Sequence, residues 1–184
     1  IGSEFSLPLG SFFQKKQESP SFSPRASQAI FVSTGRDALQ YIINQLQLSA
    51  DDQVLLPAYL CPEVLAPFIA AGVPYTFYHI TENLQCGISD LQQKITSRTK
   101  MVLLIHYFGF PQPVQNIKKI LGKKIILVED CVHGFLSTVR GHPLGSFGDI
   151  SFISYRKYLP LPDGARIEFY GESSPSVRIR TAIL

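Results

Sequence analysis

IILVEDCVHG, residues 125–134, runs four apolar side chains without a break into Glu129 and Asp130, and sets His133 three positions further on. So short and continuous an apolar run fits a strand buried on both faces, the situation of a parallel sheet covered by helices. A carboxylate at the end of such a strand is costly to bury unless a cation or a good donor stands beside it. The segment therefore predicts both a sheet position and a polar site at the strand's carboxyl end.

Working outward, the same alternation of buried run and amphipathic stretch recurs. Upstream, AIFVS at 29–33 leads into TGRDALQYIINQLQL, whose Leu39, Ile42, Ile43 and Leu46 recur at helical spacing. VLLP at 54–57, a helix through EVLAPFIAAG, a strand YTFYHI at 75–80, and a helix through ISDLQQKI with Ser89 at its capping position follow. MVLLIHYFG, a helix around VQNIKKILG, IILVED, a glycine-rich loop, ISFISY and a strand ARIEFY after PDG complete the series. Seven short strands with helices between them predict an α/β class: three layers, α/β/α, around a mostly parallel seven-stranded sheet.

Length and composition bound the rest. A chain of 184 residues that is 45% hydrophobic and 17% charged can close one sizeable core. Its net charge of +3 comes from scattered lysines and arginines, so no nucleic-acid partner is expected. There is no run of about 18 apolar residues and no signal-peptide order at the N-terminus, so no membrane association and a soluble cytoplasmic protein are expected. Cys61, Cys86 and Cys131 are odd in number and lack CxxC spacing, which argues for reduced thiols and against a structural metal site. IGSEF reads as vector-derived, residues 1–28 as that scar plus an N-terminal arm, and residues 29–170 as the globular domain.

In open α/β sheets ligands collect at the carboxyl ends of the strands. Four polar features are expected there. In STGRDAL, Gly35 permits a tight turn and the amides of Arg36 and Asp37 open a helix whose positive end suits a phosphate. The plain alternative is an ordinary helix capped by Ser33 or Thr34. Asp130 is the second feature, with a cap on the following segment as its alternative reading. His106 ends MVLLIH, where a histidine is more often structural. Last, ISFISY delivers Ser154, then Arg156 and Lys157, into a loop closed by PDG. A lysine there is a solvated charge in the plain reading; partly desolvated among cations, it becomes a nucleophilic amine able to form an imine with an aldehyde. An amine, an acid and a phosphate cradle are together what pyridoxal phosphate requires: one holds the aldehyde, one keeps the ring nitrogen protonated, one binds the phosphate.

The ordered series STGRDAL, DDQVLLPAY, AAGVPYTFYHI, ITSRTKMVLLIHYFGFP, IILVEDCVHG, GSFGDISFISYRK and PDGA resembles the DegT/DnrJ/EryC1/StrS group of fold-type-I, pyridoxal-phosphate-dependent sugar aminotransferases, from about Ser33 to Ile167. The resemblance implies that Asp130 partners the pyridine nitrogen and that His133 lies near the cofactor's ring oxygen. It implies that Ser154, with the amides at Gly35 and Arg36, binds the phosphate, and that Lys157 is the catalytic imine lysine. Tyr59 or Cys61 matches the place of the group that covers the ring face, and Tyr59 is the better stacking surface.

Where typical members place the serine five positions before the lysine, Ser154 and Lys157 are three apart, and the glycine pair after the lysine loop is Gly164 and Ala165. The resemblance further implies an amino-acid donor, with glutamate expected, a keto-sugar nucleotide as acceptor, and a homodimer. Residues 171–184 are expected to begin a linker to a C-terminal domain that this sequence lacks. Two other readings stay open on the residues alone: a non-catalytic or truncated module of the same fold acting in binding or regulation, and a generic α/β binder of a phosphorylated small molecule that makes no imine.

Overall fold

Residues 26–170, the part of the chain that the computed structural model describes, hold nine strands and four α-helices; strands and helices alternate as far as the fifth strand, and the last four strands follow without a further α-helix. The expectations for the opening scar, most of the arm and the linker at 171–184 lie outside the described residues. Seven strands form one sheet, in the spatial order β1 (Ala26–Val32), β9 (Ala165–Tyr170), β8 (Ile150–Ser154), β5 (Ile126–Asp130), β4 (Thr99–Ile105), β2 (Gln53–Pro57) and β3 (Tyr75–Tyr78). From β3 to β8 every neighbouring pair is parallel, while β9 runs antiparallel to both β8 and β1. The sheet is the mostly parallel seven-stranded one that the apolar runs predict.

Two apolar cores explain why those runs show no alternation. On one face Val54, Leu56, Met101, Leu103 and Val128 pack beneath helix α1 (Gly35–Gln45), which buries Ala38, Leu39, Ile42 and Ile43, and beneath Phe68 of α2 (Ala66–Ala70). On the other, Leu55, Val102, Leu104 and Leu127 pack against Leu91 of α3 (Ile88–Lys94) and Val114, Ile117 and Leu121 of α4 (Val114–Leu121). Neighbouring residues of one strand point to opposite faces, so a strand covered on both sides must be apolar at every position. The three layers follow directly.

Several local expectations are corrected. The first strand begins at Ala26, three residues ahead of AIFVS, because its ladder to β9 runs on to the pair Ala26 and Tyr170. The helix expected through EVLAPFIAAG splits into a 3-10 turn at Pro62–Val64 and α2, in which Pro67 falls in the first turn, the part of a helix that does not need its missing N–H. YTFYHI leaves the sheet after Tyr78, and Ile80 instead bridges to Cys86. Ser89 is not the cap of α3. Gly87 is, since Asp90 Oδ2 accepts from His79 N at 2.6 Å and seats the helix start against a backbone that a Cβ on Gly87 would meet at 2.9 Å. The glycine-rich loop holds a small hairpin, β6 (Thr138–Val139) and β7 (His142–Pro143). Its two-residue turn, Arg140 and Gly141, has φ of 51° and 80°, as the favoured tight hairpins require.

Candidate functional site

The carboxyl ends of β1, β2, β4, β5 and β8 surround a cleft of about 650 Å³, within the range of small-molecule sites. At β1 the chain turns through Thr34, the cap of α1. Its Oγ1 accepts from Asp37 N at 3.2 Å and donates to Asp37 Oδ2 at 2.8 Å. Ala38 N already bonds Thr34 O. Of the amides that open the helix this leaves Gly35 and Arg36, and both residues line the cleft. Thr34 rather than Ser33 is the cap. Gly35 is not needed for a turn: a Cβ there would meet the Phe152 ring at an ordinary 3.6 Å, so what its bare Cα leaves is room at the helix end.

At β5 the pleat separates two carboxyl groups. Asp130 faces α1 and the cleft; Glu129 faces the opposite layer and is fully buried. Asp130 Oδ1 accepts from Val132 N at 2.9 Å, and its backbone oxygen takes the amide of His106 at 3.0 Å. Loss of water pushes the Asp130 carboxyl up to about 6, and the Val132 amide, the Lys157 charge and His106 only partly oppose this. Such a group calls for a cationic partner.

Behind it, Glu129 Oε2 meets His106 Nε2 at 2.7 Å, and Oε1 accepts from the amides of Phe147 and Gly148. Gln112 N donates to His106 Nδ1 at 3.2 Å, so Nε2 carries the ring proton and donates it to Glu129. His106 is thus structural here, as the plain reading of a strand-end histidine has it. The Gln112 side chain ties the same cluster to Cys86 N and Leu84 O.

At β8, Ser154 is 2% exposed and lines the cleft, and a 3-10 turn, Tyr155–Lys157, follows immediately. That turn brings Lys157 to the cleft that Asp130 also lines, with its Nζ 3.3 Å from His133 Nε2. Burial first, and the Lys157 charge second, hold the His133 imidazole below its usual value, so it is a neutral acceptor for the lysine. Tyr59 and Cys61, both exposed, form the opposite wall, and the Tyr59 ring lies 5.5 Å from that of Tyr107. All eight residues singled out from the sequence, Gly35, Arg36, Tyr59, Cys61, Asp130, His133, Ser154 and Lys157, line this one cleft.

Among the lining residues that sequence reasoning missed, three carry contacts that shape the site. Phe108 stacks on His133, with centroids 5.8 Å apart and planes 13° apart, from a backbone φ of 52°. A left-handed phenylalanine is a strained arrangement of the kind that gathers at functional sites. The next residue, Gly109, has φ of 80° and abuts the carbonyl of His133, which a Cβ would approach to 2.7 Å. The YFGF run held the only signal: an aromatic beside a glycine just after a buried strand. Tyr107 donates to Tyr59 O at 2.5 Å, and Glu63 pairs with Arg36; neither contact leaves a mark in local sequence. Among the described residues no helix is long and apolar enough to cross a membrane, and no three His, Cys, Asp or Glu side chains gather as metal ligands.

The residues present fit pyridoxal phosphate. The cleft offers a buried carboxyl raised by desolvation, an amine, a buried hydroxyl and two open helix amides, a donor set suited to a cationic ring nitrogen, an aldehyde and a phosphate.

Comparison with known proteins gives a consistent picture. The sequence profile of the DegT/DnrJ/EryC1/StrS aminotransferase family matches residues 21–163. GDP-perosamine synthase of Escherichia coli O157:H7 is 30% identical over 149 residues, 79% of this chain and 41% of that protein. The dTDP-4-dehydro-2,3,6-trideoxy-D-glucose 4-aminotransferase of Saccharopolyspora spinosa is 31% identical over 141 residues, 74% of this chain and 37% of that protein. Among solved structures, a GDP-4-keto-6-deoxymannose-3-dehydratase with a trapped PLP-glutamate geminal diamine superposes with a TM-score of 0.72 at 27% identity, covering 80% of this chain and 41% of that one. Spr1654 from Streptococcus pneumoniae superposes at 0.73 with 18% identity, a likeness of fold, over 81% of this chain and 43% of that one. The chain thus spans about two fifths of the length of the curated relatives it matches.

Proposed function

The chain belongs to the DegT/DnrJ/EryC1/StrS aminotransferase family, and from that membership we propose that it forms the cofactor-binding part of an enzyme that moves an amino group from an amino acid to the keto group of a nucleotide-linked sugar. Glutamate is the donor in this reading. The single observation that supports it best is Asp130, a buried carboxyl short of a cation, in the same cleft as the Lys157 amine and the open end of α1.

Lys157 would hold the cofactor through its amine, Asp130 would hold the proton of its ring nitrogen, and Ser154 with the amides of Gly35 and Arg36 would take its phosphate. His133 would flank the ring oxygen, and Tyr59 or Cys61 would cover a ring face. When bound, pyridoxal phosphate supplies a ring that accepts the negative charge developing on the carbon next to the nitrogen. The chain supplies the rest. Asp130 would fix the charge that makes the ring accepting, and Phe108 stacks on the His133 ring, whose Nε2 meets Lys157. With its amine free, Lys157 would be the base that takes a proton from the donor's α-carbon and, as an acid, gives it back two bonds away, on the far side of the nitrogen. Its contact to the neutral His133 gives that proton a second acceptor.

The test is the visible spectrum with added pyridoxal phosphate, followed by borohydride reduction and peptide mapping. A band and a reduced adduct on Lys157, both lost in Lys157→Ala, are the expected result. An adduct elsewhere, or none in folded protein, overturns the reading. Self-association as a homodimer in the cytoplasm belongs to the same proposal. Its solution mass is expected at twice that of the chain, and a monomer at all protein concentrations would refute this part.

A further inference from the structure

Arg36 and Glu63 meet at the cleft. Arg36 is the second residue of α1, so its own amide is one of the two left open at the helix end. Its side chain reaches Glu63, in the 3-10 turn that follows β2, with Nη1 to Oε2 at 2.6 Å. Both residues line the cleft, and so does the buried Ser154.

This ion pair is built to be exchanged. The two side chains are 57% and 63% exposed, and a pair so open to water is held weakly, because water screens the attraction and two long side chains give up freedom to meet. A guanidinium fork matches phosphate oxygens as well as it matches a carboxylate, and a phosphate monoester brings up to about two negative charges where Glu63 brings one. We infer that Glu63 competes with a phosphate monoester for Arg36, so that Arg36 clamps the phosphate from the side while Glu63 sets how tightly it is held. The inference rests on the reading of the α1 end and Ser154 as a phosphate subsite; it adds a side-chain cation and a competing anion to the two amides and the hydroxyl.

Dissociation constants for pyridoxal phosphate, pyridoxal and inorganic phosphate on wild type, Glu63→Gln, Arg36→Gln and the double variant test it. Glu63→Gln is expected to bind pyridoxal phosphate about two- to fivefold tighter. Arg36→Gln is expected to bind it about tenfold weaker. The double variant is expected to match Arg36→Gln within about twofold, since the competition acts through the arginine. Pyridoxal, which lacks the phosphate, should bind all four alike. Unchanged affinity in Glu63→Gln, or equal tightening with and without Arg36, overturns the inference while leaving the subsite intact. If instead pyridoxal binds as tightly as its phosphate, and inorganic phosphate leaves the amide signals of Gly35 and Arg36 unmoved, the subsite itself fails and the inference falls with it.

Discussion

Replacing Glu129 by alanine is expected to lower the unfolding free energy by about 3–5 kcal/mol, among the largest single-residue effects in the domain. The side chain is fully buried, and three donors end on it: the amides of Phe147 and Gly148 on Oε1, and His106 Nε2 on Oε2. Each buried donor left without a partner costs about 1–3 kcal/mol, and alanine strands all three while opening a cavity. Glu129→Gln separates the polar term from the cavity. The amide keeps the volume but must turn its NH2 toward a donor. His106 cannot yield by shifting its proton, because Nδ1 is already taken by the Gln112 amide. A loss of about 1–3 kcal/mol is expected for glutamine. The reading is made from urea midpoints at constant slope. Wild-type stability in Glu129→Gln would mean that the three bonds contribute nothing net.

Asp130→Asn is expected to act in the opposite sense on stability. The buried carboxyl titrates at about 6 in the folded chain against a reference of 3.8, so between those values the folded state holds a proton that the unfolded state has released. The stability that Asp130 contributes is therefore complete below about pH 4 and is lost as pH rises through about 6, a fall of about 3 kcal/mol. Asparagine keeps the acceptor for Val132 N and has nothing to ionise. The difference in unfolding free energy, variant minus wild type, should rise from near zero at pH 4 to about 3 kcal/mol at pH 7 and then level off. A difference flat with pH would mean that burial does not raise the Asp130 carboxyl in the folded chain. On the proposed function the same change is costly, since an amide cannot hold the cofactor's ring charge. Turnover in an enzyme carrying it should drop on the order of a hundredfold or more. Gain in stability with loss of activity at one residue is the pattern of a site that stores strain for use.

How legible these features were depends on their range. The caps and buried runs are written locally. Thr34 stands before a periodic stretch, and IILVED and MVLLI are apolar at every step because both faces of their strands are covered. The Ser89 cap failed for a non-local reason: Asp90 was drawn to an amide eleven residues earlier, and the helix start moved with it. The site's eight residues were found because polar side chains at the ends of buried strands converge in this architecture, and because the series of motifs resembled a family. Phe108, Glu63 and the His106–Glu129 pair escaped because each takes its role from a partner far along the chain, 23 residues away for Glu129 and 27 for Arg36.

By itself the sequence determined the class and the layers, since periodicity is a local property and a strand without polar positions can only lie between two covers. It also determined that Glu129 and Asp130 must point to opposite faces, because adjacent residues on a pleat do so. Which of them meets the cleft was decided only by the tertiary structure. With β5 set between β4 and β8, the face shared by Val128 and Asp130 falls under α1, and the face shared by Leu127 and Glu129 falls under α4. Pleat alternation fixes a relation between neighbours; the packing of the helices breaks its symmetry and makes one carboxyl a structural anchor and the other a buried acid at the edge of the cleft.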